Sequence, residues 1–121
     1  MQEQNKQQTM FENFIDQVFE IEKKLEKIQE TNSINRNINS IKELFANLNS
    51  YISSTETGGY IYHNPIGEPY PDTRIDCNAT IAGEDSNNLF ITEVIKPIIY
   101  YRKGDNNRIA RKGVVVLTSK Q

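Results

Sequence analysis

The sequence lacks tryptophan and contains one cysteine, Cys77, and one histidine, His63, in 121 residues. A single cysteine cannot form an intrachain disulfide, so we expect a reducing, cytoplasmic location. One histidine and one cysteine do not supply the three or so ligands of a usual protein zinc site, and we predict no metal or other cofactor. No apolar run approaches the ~20 residues of a membrane span, and the Gln-rich start has no signal-peptide core.

Catalytic motifs are also lacking: there is no nucleophile elbow, phosphate-binding loop or dinucleotide fingerprint. Cys77 could be considered a nucleophile with His63 as its base. Cys77 follows Asp76, however, and a neighbouring carboxylate raises the pKa of a thiol rather than lowering it. We therefore predict a buried core cysteine and no enzymatic activity.

Glycine and proline are missing from residues 1–53, whereas all 6 Gly and all 4 Pro lie within residues 58–113. Glycine and proline interrupt helices and mark turns, so their distribution predicts helices first and short strands afterwards. The expected fold class is α+β, with amphipathic N-terminal helices followed by a small all-β domain. We expect a disordered tail over 1–9, a helical dimerisation region over 10–53 and a partner-binding β domain over 58–118.

Apolar residues of the first half repeat every seven positions in two frames, which places each set on one helix stripe. The first frame consists of Phe11, Val18 and Leu25 with Phe14, Ile21 and Ile28. The second consists of Ile34, Ile41 and Leu48 with Ile38, Phe45 and Ile52. The frame breaks at residues 31–37, rich in Asn and Ser, which favour caps and turns. Two helices of about 19 residues are the simplest interpretation; one helix with a phase slip is the alternative.

Such apolar stripes need a partner surface. A homodimer that joins two helices from each subunit in a four-helix bundle would bury them. The predicted dimerisation residues are those of the second frame, Ile34, Ile38, Ile41, Phe45, Leu48 and Ile52. The alternative is that both helices pack on the strands of their own chain.

In the second half we predict strands at 60–62, 74–81, 89–95, 98–101 and 108–117, with a hairpin turn at 103–107. In residues 74–81 the apolar positions alternate, which predicts a buried face formed by Ile75, Cys77, Ala79 and Ile81. Gly113 is a candidate bulge within the last strand.

Charge is distributed unevenly over this half. Residues 54–95 carry seven acids and one base, whereas residues 96–121 carry seven bases and one acid. The basic edge comprises Lys96, Arg102, Lys103, Arg108, Arg111 and Lys112. Three uses remain open: binding nucleic acid phosphates, binding an acidic protein face, or pairing with the acidic half of the same module.

Three short segments resemble the GrpE family of nucleotide exchange factors, which serve DnaK-type chaperone ATPases. Residues 108–116 (Arg-Ile-Ala-Arg-Lys-Gly-Val-Val-Val) look like the family's closing Arg-x-x-Arg-x-Ala-x-Val-x-Val. Residues 93–95 (Glu-Val-Ile) look like its preceding strand, and residues 67–70 (Gly-Glu-Pro-Tyr) like its Gly-x-Pro-Phe segment. The resemblance covers about residues 34–118.

The sequence departs from the family in several places. Cys77-Asn78-Ala79 stands where the family has His-Glu-Ala, and residues 98–100 replace its Gly-Tyr. The long N-terminal stalk helix is missing or reduced to one short helix. We therefore expect the family's scaffold to be kept, while the partner protein can differ from the family's partner.

The resemblance implies a co-chaperone with no catalytic site of its own. Such a protein binds the open state of the ATPase domain and thereby accelerates ADP release. Carried over by motif, the expected partner-binding residues are Arg108, Tyr70, Ile95, Leu117 and Arg111. The alternative is a dimeric adaptor that uses the same scaffold to bind a different protein, such as another actin-fold ATPase. A nucleic-acid-binding β module is a third hypothesis.

Overall fold

A computed structural model describes residues 2–28, 32–52 and 58–119. The helices are α1 Gln2–Leu25, α2 Asn32–Ala46 and α3 Leu48–Ile52. The strands are β1 Gly59–His63, β2 Cys77–Ile81, β3 Leu89–Lys96, β4 Ile98–Lys103, β5 Asn106–Arg111 and β6 Gly113–Ser119. They form two three-stranded sheets, ordered β1-β4-β5 and β2-β6-β3. The α+β class is confirmed. No helix in the described ranges is long and apolar enough to cross a membrane.

Helix α1 begins at Gln2, so the structure gives residues 2–9, which were expected within a disordered tail over 1–9, helical backbone. Gln, Glu and Lys are good helix formers, and no Gly or Pro interrupts them. One turn inside the helix, Gln8 Nε2 donates a hydrogen bond to Glu12 Oε2 at 2.9 Å. This i,i+4 pair adds a few tenths of a kcal/mol, about what such pairs contribute in isolated helices.

The two helical frames belong to separate helices, because α1 ends at Leu25 and α2 begins at Asn32. The break therefore lies slightly before the predicted 31–37. The second predicted helix is itself divided at Asn47, which lies in a turn between α2 and α3. There the Asn47 side-chain amide donates to the Glu43 carbonyl oxygen at 3.0 Å, so a short polar side chain competes for the helix's own backbone acceptor.

The chain divides into two compact units. One comprises residues 1–61 and 101–107, and the other comprises residues 62–100 and 108–121. This division differs from the expected boundary between 53 and 58, because residues 58–61 and the tip of the β4–β5 hairpin group with the helices.

The core of the first unit is built from both helical frames and an aromatic cluster. Its buried apolar side chains are Ile15, Val18, Phe19, Leu25, Ile38 and Tyr60. The Tyr60 ring lies 5.5 Å from Phe11 and 5.2 Å from Tyr101, centroid to centroid. Helix α1 thus packs on strand β1 through aromatic rings, which prefer such tilted and edge-on arrangements.

The glycine pair Gly58-Gly59 allows β1 to approach the end of α2. A Cβ on Gly59 would overlap the carbonyl oxygen of Phe45 and lie 2.8 Å from the amide nitrogen of Leu48. Gly58 has φ +101°, a conformation that side chains other than hydrogen rarely adopt. Its carbonyl oxygen accepts a 2.9 Å hydrogen bond from the Asn49 amide.

In the second unit the last strand lies at the centre of its sheet. β6 pairs with β2 in parallel and with β3 in antiparallel orientation. The buried apolar side chains here are Cys77, Ile91, Val94, Ile98, Ile99, Val115 and Leu117. β3 shifts register against β6 between Ile91 and Glu93 and again between Val94 and Lys96, as bulged strands do.

Two strand predictions need correction. Residues 108–117 form parts of two strands in different sheets, separated at Lys112, rather than one strand with a bulge at Gly113. Gly113 opens β6 where a Cβ would lie 3.0 Å from Ile98 Cγ1 and 3.3 Å from Cys77 Sγ. The predicted buried face of residues 74–81 is wrong except at Cys77, because residues 74–76 precede the strand and no layer covers β2 beyond Cys77 among the described residues. Ile75 is 71% exposed, and Ala79 and Ile81 are also exposed.

Candidate functional site

The loop between β1 and β2 is held by a charged network centred on Arg74. Its Nε lies 2.7 Å from Asp76 Oδ1, and a terminal nitrogen lies 2.8 Å from Glu68 Oε1. The other terminal nitrogen donates to the Pro69 carbonyl at 3.1 Å. His63 Nε2 contacts the second carboxylate oxygen of Glu68. One guanidinium thus joins both ends of the loop that precedes β2, using the planar fork that suits arginine for several simultaneous acceptors.

The network shifts the pKa of Asp76. Burial alone raises the pKa of this carboxyl, but the hydrogen bond and positive charge of Arg74 outweigh burial and hold it below its usual value. The pKa of Arg74 is raised, chiefly by its hydrogen bond to Asp76, against the opposing effect of burial. Both groups are therefore charged at neutral pH, and the arrangement serves to position the loop rather than to transfer protons.

Tyr70 belongs to the same cluster. Its hydroxyl donates to the Cys77 carbonyl oxygen at 3.0 Å, and the Arg74 guanidinium carbon lies 5.5 Å from its ring centroid. The side chain is half-buried. Tyr70 was predicted to contact the partner. Its side chain is partly accessible for such a contact, but its hydroxyl is already hydrogen-bonded to Cys77.

Cys77 is buried at the start of β2. Desolvation, followed by the charge of Asp76, raises the pKa of its thiol to about 11. A thiol with such a pKa is neutral at physiological pH and is a poor nucleophile. His63 makes its contact with Glu68, and the structure gives it none with Cys77. Across residues 2–28, 32–52 and 58–119, no group of three or more His, Cys, Asp or Glu side chains is arranged to hold a metal ion.

Two predicted partner-binding residues lie on the surface of the second unit. Arg108 is exposed in β5, and Ile95 is 47% exposed near the end of β3. An exposed arginine and an exposed large apolar side chain are the residue types that dominate binding energy at many interfaces.

Two others are engaged within the unit. Leu117 is only 3% exposed, because β6 is the central strand and its side chain faces the core. It therefore offers no surface to a partner in this structure. Arg111 is half-buried, and one of its terminal nitrogens donates to the Pro97 carbonyl oxygen at 3.0 Å. Its charge helps to hold β5 against the β3–β4 connection.

The basic edge is divided between the two compact units. Arg102 and Lys103 are exposed in the part of the hairpin that groups with the helices. Lys96, Arg108 and Lys112 are exposed in the other unit.

The predicted dimerisation residues differ in their accessibility. Ile38 is 4% exposed and already buried within its own chain, whereas Ile34 is exposed and Ile41 and Leu48 are half-buried. Phe45 packs edge-on against Phe11 at 6.4 Å between ring centroids. Ile52 belongs to α3, and its side chain lies outside the described residues. The second frame is therefore partly used within the chain.

The first helical frame retains the larger exposed apolar surface. Phe14, Ile21 and Ile28 are spaced by seven residues and are each at least 43% exposed. The residues predicted for dimerisation were those of the second frame, although the spacing of the first frame is equally regular.

The network around Arg74 was not predicted from the sequence. Arg74 and Asp76 belong to the strand predicted over 74–81, but they lie in the loop before β2 and form an ion pair two residues apart. Opposite charges at alternate positions beside a proline-rich loop are the signal that could have indicated the pair.

Comparison of the chain with protein-family models, with curated proteins and with solved structures finds no match.

Proposed function

We propose that the chain is a GrpE-like nucleotide exchange factor that binds a DnaK-type ATPase domain and promotes ADP release. The observation that carries the proposal is the surface position of Arg108 and Ile95 in the second compact unit. These residues lie in the two segments, 93–95 and 108–116, that resemble the family's closing strands.

The proposed mechanism is selective binding rather than chemistry. A protein that binds the open nucleotide cleft more tightly than the closed one increases the open population, from which ADP leaves faster. The shift is limited by the difference between the two affinities. Arg108 is assigned to a carboxylate of the partner and Ile95 to an apolar depression, while the Arg74 network keeps the adjoining loop in place.

The test is the rate of release of a fluorescent ADP analogue from a DnaK-type chaperone, with and without the protein. We expect a large acceleration, reduced at least about tenfold by Arg108→Ala, which corresponds to about 1.4 kcal/mol. The matched control is Arg36→Ala, which removes an exposed arginine from α2. No acceleration by the folded wild-type protein, or equal loss in both variants, would overturn the proposal.

The same proposal includes a homodimer formed through the helices. It is supported by the seven-residue spacing of the exposed Phe14 and Ile21 on α1, a pattern typical of helix–helix association, and by the exposed Ile28 just beyond the end of the helix. Light scattering should give twice the 14.0 kDa mass of one chain. Ile21→Asp should halve that mass, because it places a charge in the interface. Asn13→Asp, on the exposed polar side of α1, should leave the mass unchanged.

An adaptor that binds a different protein is the second candidate. It is favoured by the state of the residues carried over from the family, since Leu117 is buried and both Arg111 and the Tyr70 hydroxyl are engaged within the unit. This candidate would be selected if the protein captured another ATPase in a manner that depends on Arg108 but did not accelerate ADP release from the chaperone.

A further inference from the structure

The two edges of the β2-β6-β3 sheet are treated differently by the chain. The outer edge of β3 is covered by residues 67–70, which make three backbone hydrogen bonds to it. Gly67 and Tyr70 amides donate to the Ile91 and Leu89 carbonyls at 2.8 and 2.9 Å, and the Ile91 amide donates to Glu68 at 2.9 Å. Among the described residues, none covers the outer edge of β2 in this way.

The direction of the free backbone groups on β2 follows from its two ends. The Asp76 carbonyl accepts from the Gly113 amide at 3.0 Å, and the Ala82 amide donates to the Leu117 carbonyl at 2.8 Å. In a parallel pair of strands, every second residue hydrogen-bonds to the neighbouring strand through both its N–H and its C=O. Because Asp76 and Ala82 bond to β6, the even-numbered residues of β2 face β6. The N–H and C=O groups of Ala79 and Ile81 therefore point away from β6.

This edge lacks the usual protection against strand addition. Proteins commonly protect exposed edges with lysine, proline or bulges. Residues 77–81 contain no lysine or proline, and their register with β6 is regular. Two features protect it in part: β2 has only five residues, and the Tyr70 hydroxyl donates to the outward Cys77 carbonyl, which leaves Ala79 and Ile81 open. Exposed apolar side chains, Ile75 just before the strand and Ile81 at its end, extend along it.

Charge favours a basic occupant. Residues 68–85, which contain β2 and its flanking loops, carry five carboxylates and one base, Arg74. Arg74 is paired with Glu68 and Asp76, so its charge is compensated locally. Glu84 and Asp85 are exposed just beyond the end of the strand, and β6 alongside carries no charged side chain. Lys112 adjoins the opposite end, so the negative field is strongest beyond Ile81.

We propose that β2 is a docking edge for an extended basic segment of a partner protein, which adds to the sheet as a fourth strand. The segment presents backbone groups to Ala79 and Ile81, apolar side chains at alternate positions, and a lysine or arginine toward Glu84. Backbone hydrogen bonds supply affinity in such strand addition, and the alternating side chains supply specificity. This inference does not depend on the exchange-factor proposal, because it uses neither Arg108 nor Ile95.

The test is an amide-resolved NMR titration with the full chain and an end-blocked peptide, Lys-Val-Thr-Val-Thr-Lys. In the free protein we expect the Ala79 and Ile81 amides to exchange with solvent faster than those of Asn78 and Thr80. Added peptide should protect Ala79 and Ile81 and shift their resonances until saturation. The charge-reversed peptide Glu-Val-Thr-Val-Thr-Glu should bind more weakly.

Two substitutions separate edge pairing from general adhesion. Ala79→Pro removes one outward N–H without removing a hydrogen bond to β6, so it should weaken binding about tenfold while the sheet persists. Ala79→Val retains that N–H and should bind like wild type. Equal binding by Ala79→Pro, or equal affinity for the acidic peptide, would overturn the proposal. So would concentration-dependent protection of Ala79 in the free protein, which would assign the edge to a second copy.

Discussion

The close approach of β1 to the end of α2 leaves no room for a side chain at Gly59. In Gly59→Ala the new Cβ overlaps the Phe45 carbonyl oxygen and lies 2.8 Å from Leu48 N and 2.9 Å from the Ala46 carbonyl carbon. All three neighbours are backbone atoms at the α2–α3 junction, so no side chain can turn away to make room. Either the helix end or β1 must move.

The expected loss of folding stability follows from the kind of contact that the new Cβ makes. Overpacking usually costs about 1–3 kcal/mol, and rigid backbone neighbours place this substitution at the upper end. With an unfolding entropy of about 2.1 cal/mol/K per residue, 3 kcal/mol lowers the melting temperature of a chain of this length by about 12 °C. The Asn49 amide hydrogen bond to Gly58 lies beside the clash and should weaken with it.

The assay is thermal unfolding followed by circular dichroism, with Gly83→Ala as the control. Gly83 has φ +97°, but a Cβ there meets nothing within 4 Å. The control therefore isolates backbone strain, about 1–2 kcal/mol, from steric overlap. A Gly59→Ala protein that melts no lower than Gly83→Ala would refute the reasoning, because overlap with backbone would then cost no more than positive-φ strain alone.

Two further predictions concern the Arg74 cluster. Because the folded-state pKa of Asp76 is lowered, its contribution to stability is present above the unfolded pKa of about 3.9 and is lost as the pH falls through the folded value. In thermal melts, the Asp76→Asn protein should be less stable than wild type at pH 7 and should approach wild-type stability at pH 2–3. A stability difference independent of pH would contradict this. The control is Asp72→Asn, which changes an exposed carboxyl. Because a thiol pKa of about 11 leaves little thiolate at pH 8, Cys77 should react with iodoacetamide about two-hundred-fold more slowly in the folded protein than in urea. If the folded and unfolded rates lay within tenfold of each other, the thiol would be accessible and its pKa less perturbed.

The helices and most strands were predictable because their signals are local. Seven-residue spacing and the lack of Gly and Pro define α1 and α2, and a run rich in β-branched residues that ends before Pro97 defines β3. The start of the last strand was not predictable in the same way. Residues 108–117 contain no proline to separate two strands, and only the position of Ile98 and Cys77 around Gly113 shows why the chain changes sheet there.

Burial was harder to predict than secondary structure. Ile75, Ala79 and Ile81 alternate as a buried face does, but burial depends on whether another layer covers that face, and here only Cys77 is covered. The same ambiguity affects the candidate site. A Val-x-Leu alternation in the closing strand suits either a core or a partner surface, and the central position of β6 assigns Leu117 to the core. Arg108 is exposed because a charged side chain on an edge strand remains in water.

The central position of β6 also sets an order of assembly. β2 and β3 do not pair with each other; each pairs with β6, which follows them in the chain. During synthesis, residues 77–96 therefore emerge before the strand that joins them, and their sheet cannot form until residues 113–119 are available. Contacts between distant parts of a chain form slowly, since loop closure must precede them. The helices can become ordered while the chain is still growing, whereas this sheet is completed by its final strand.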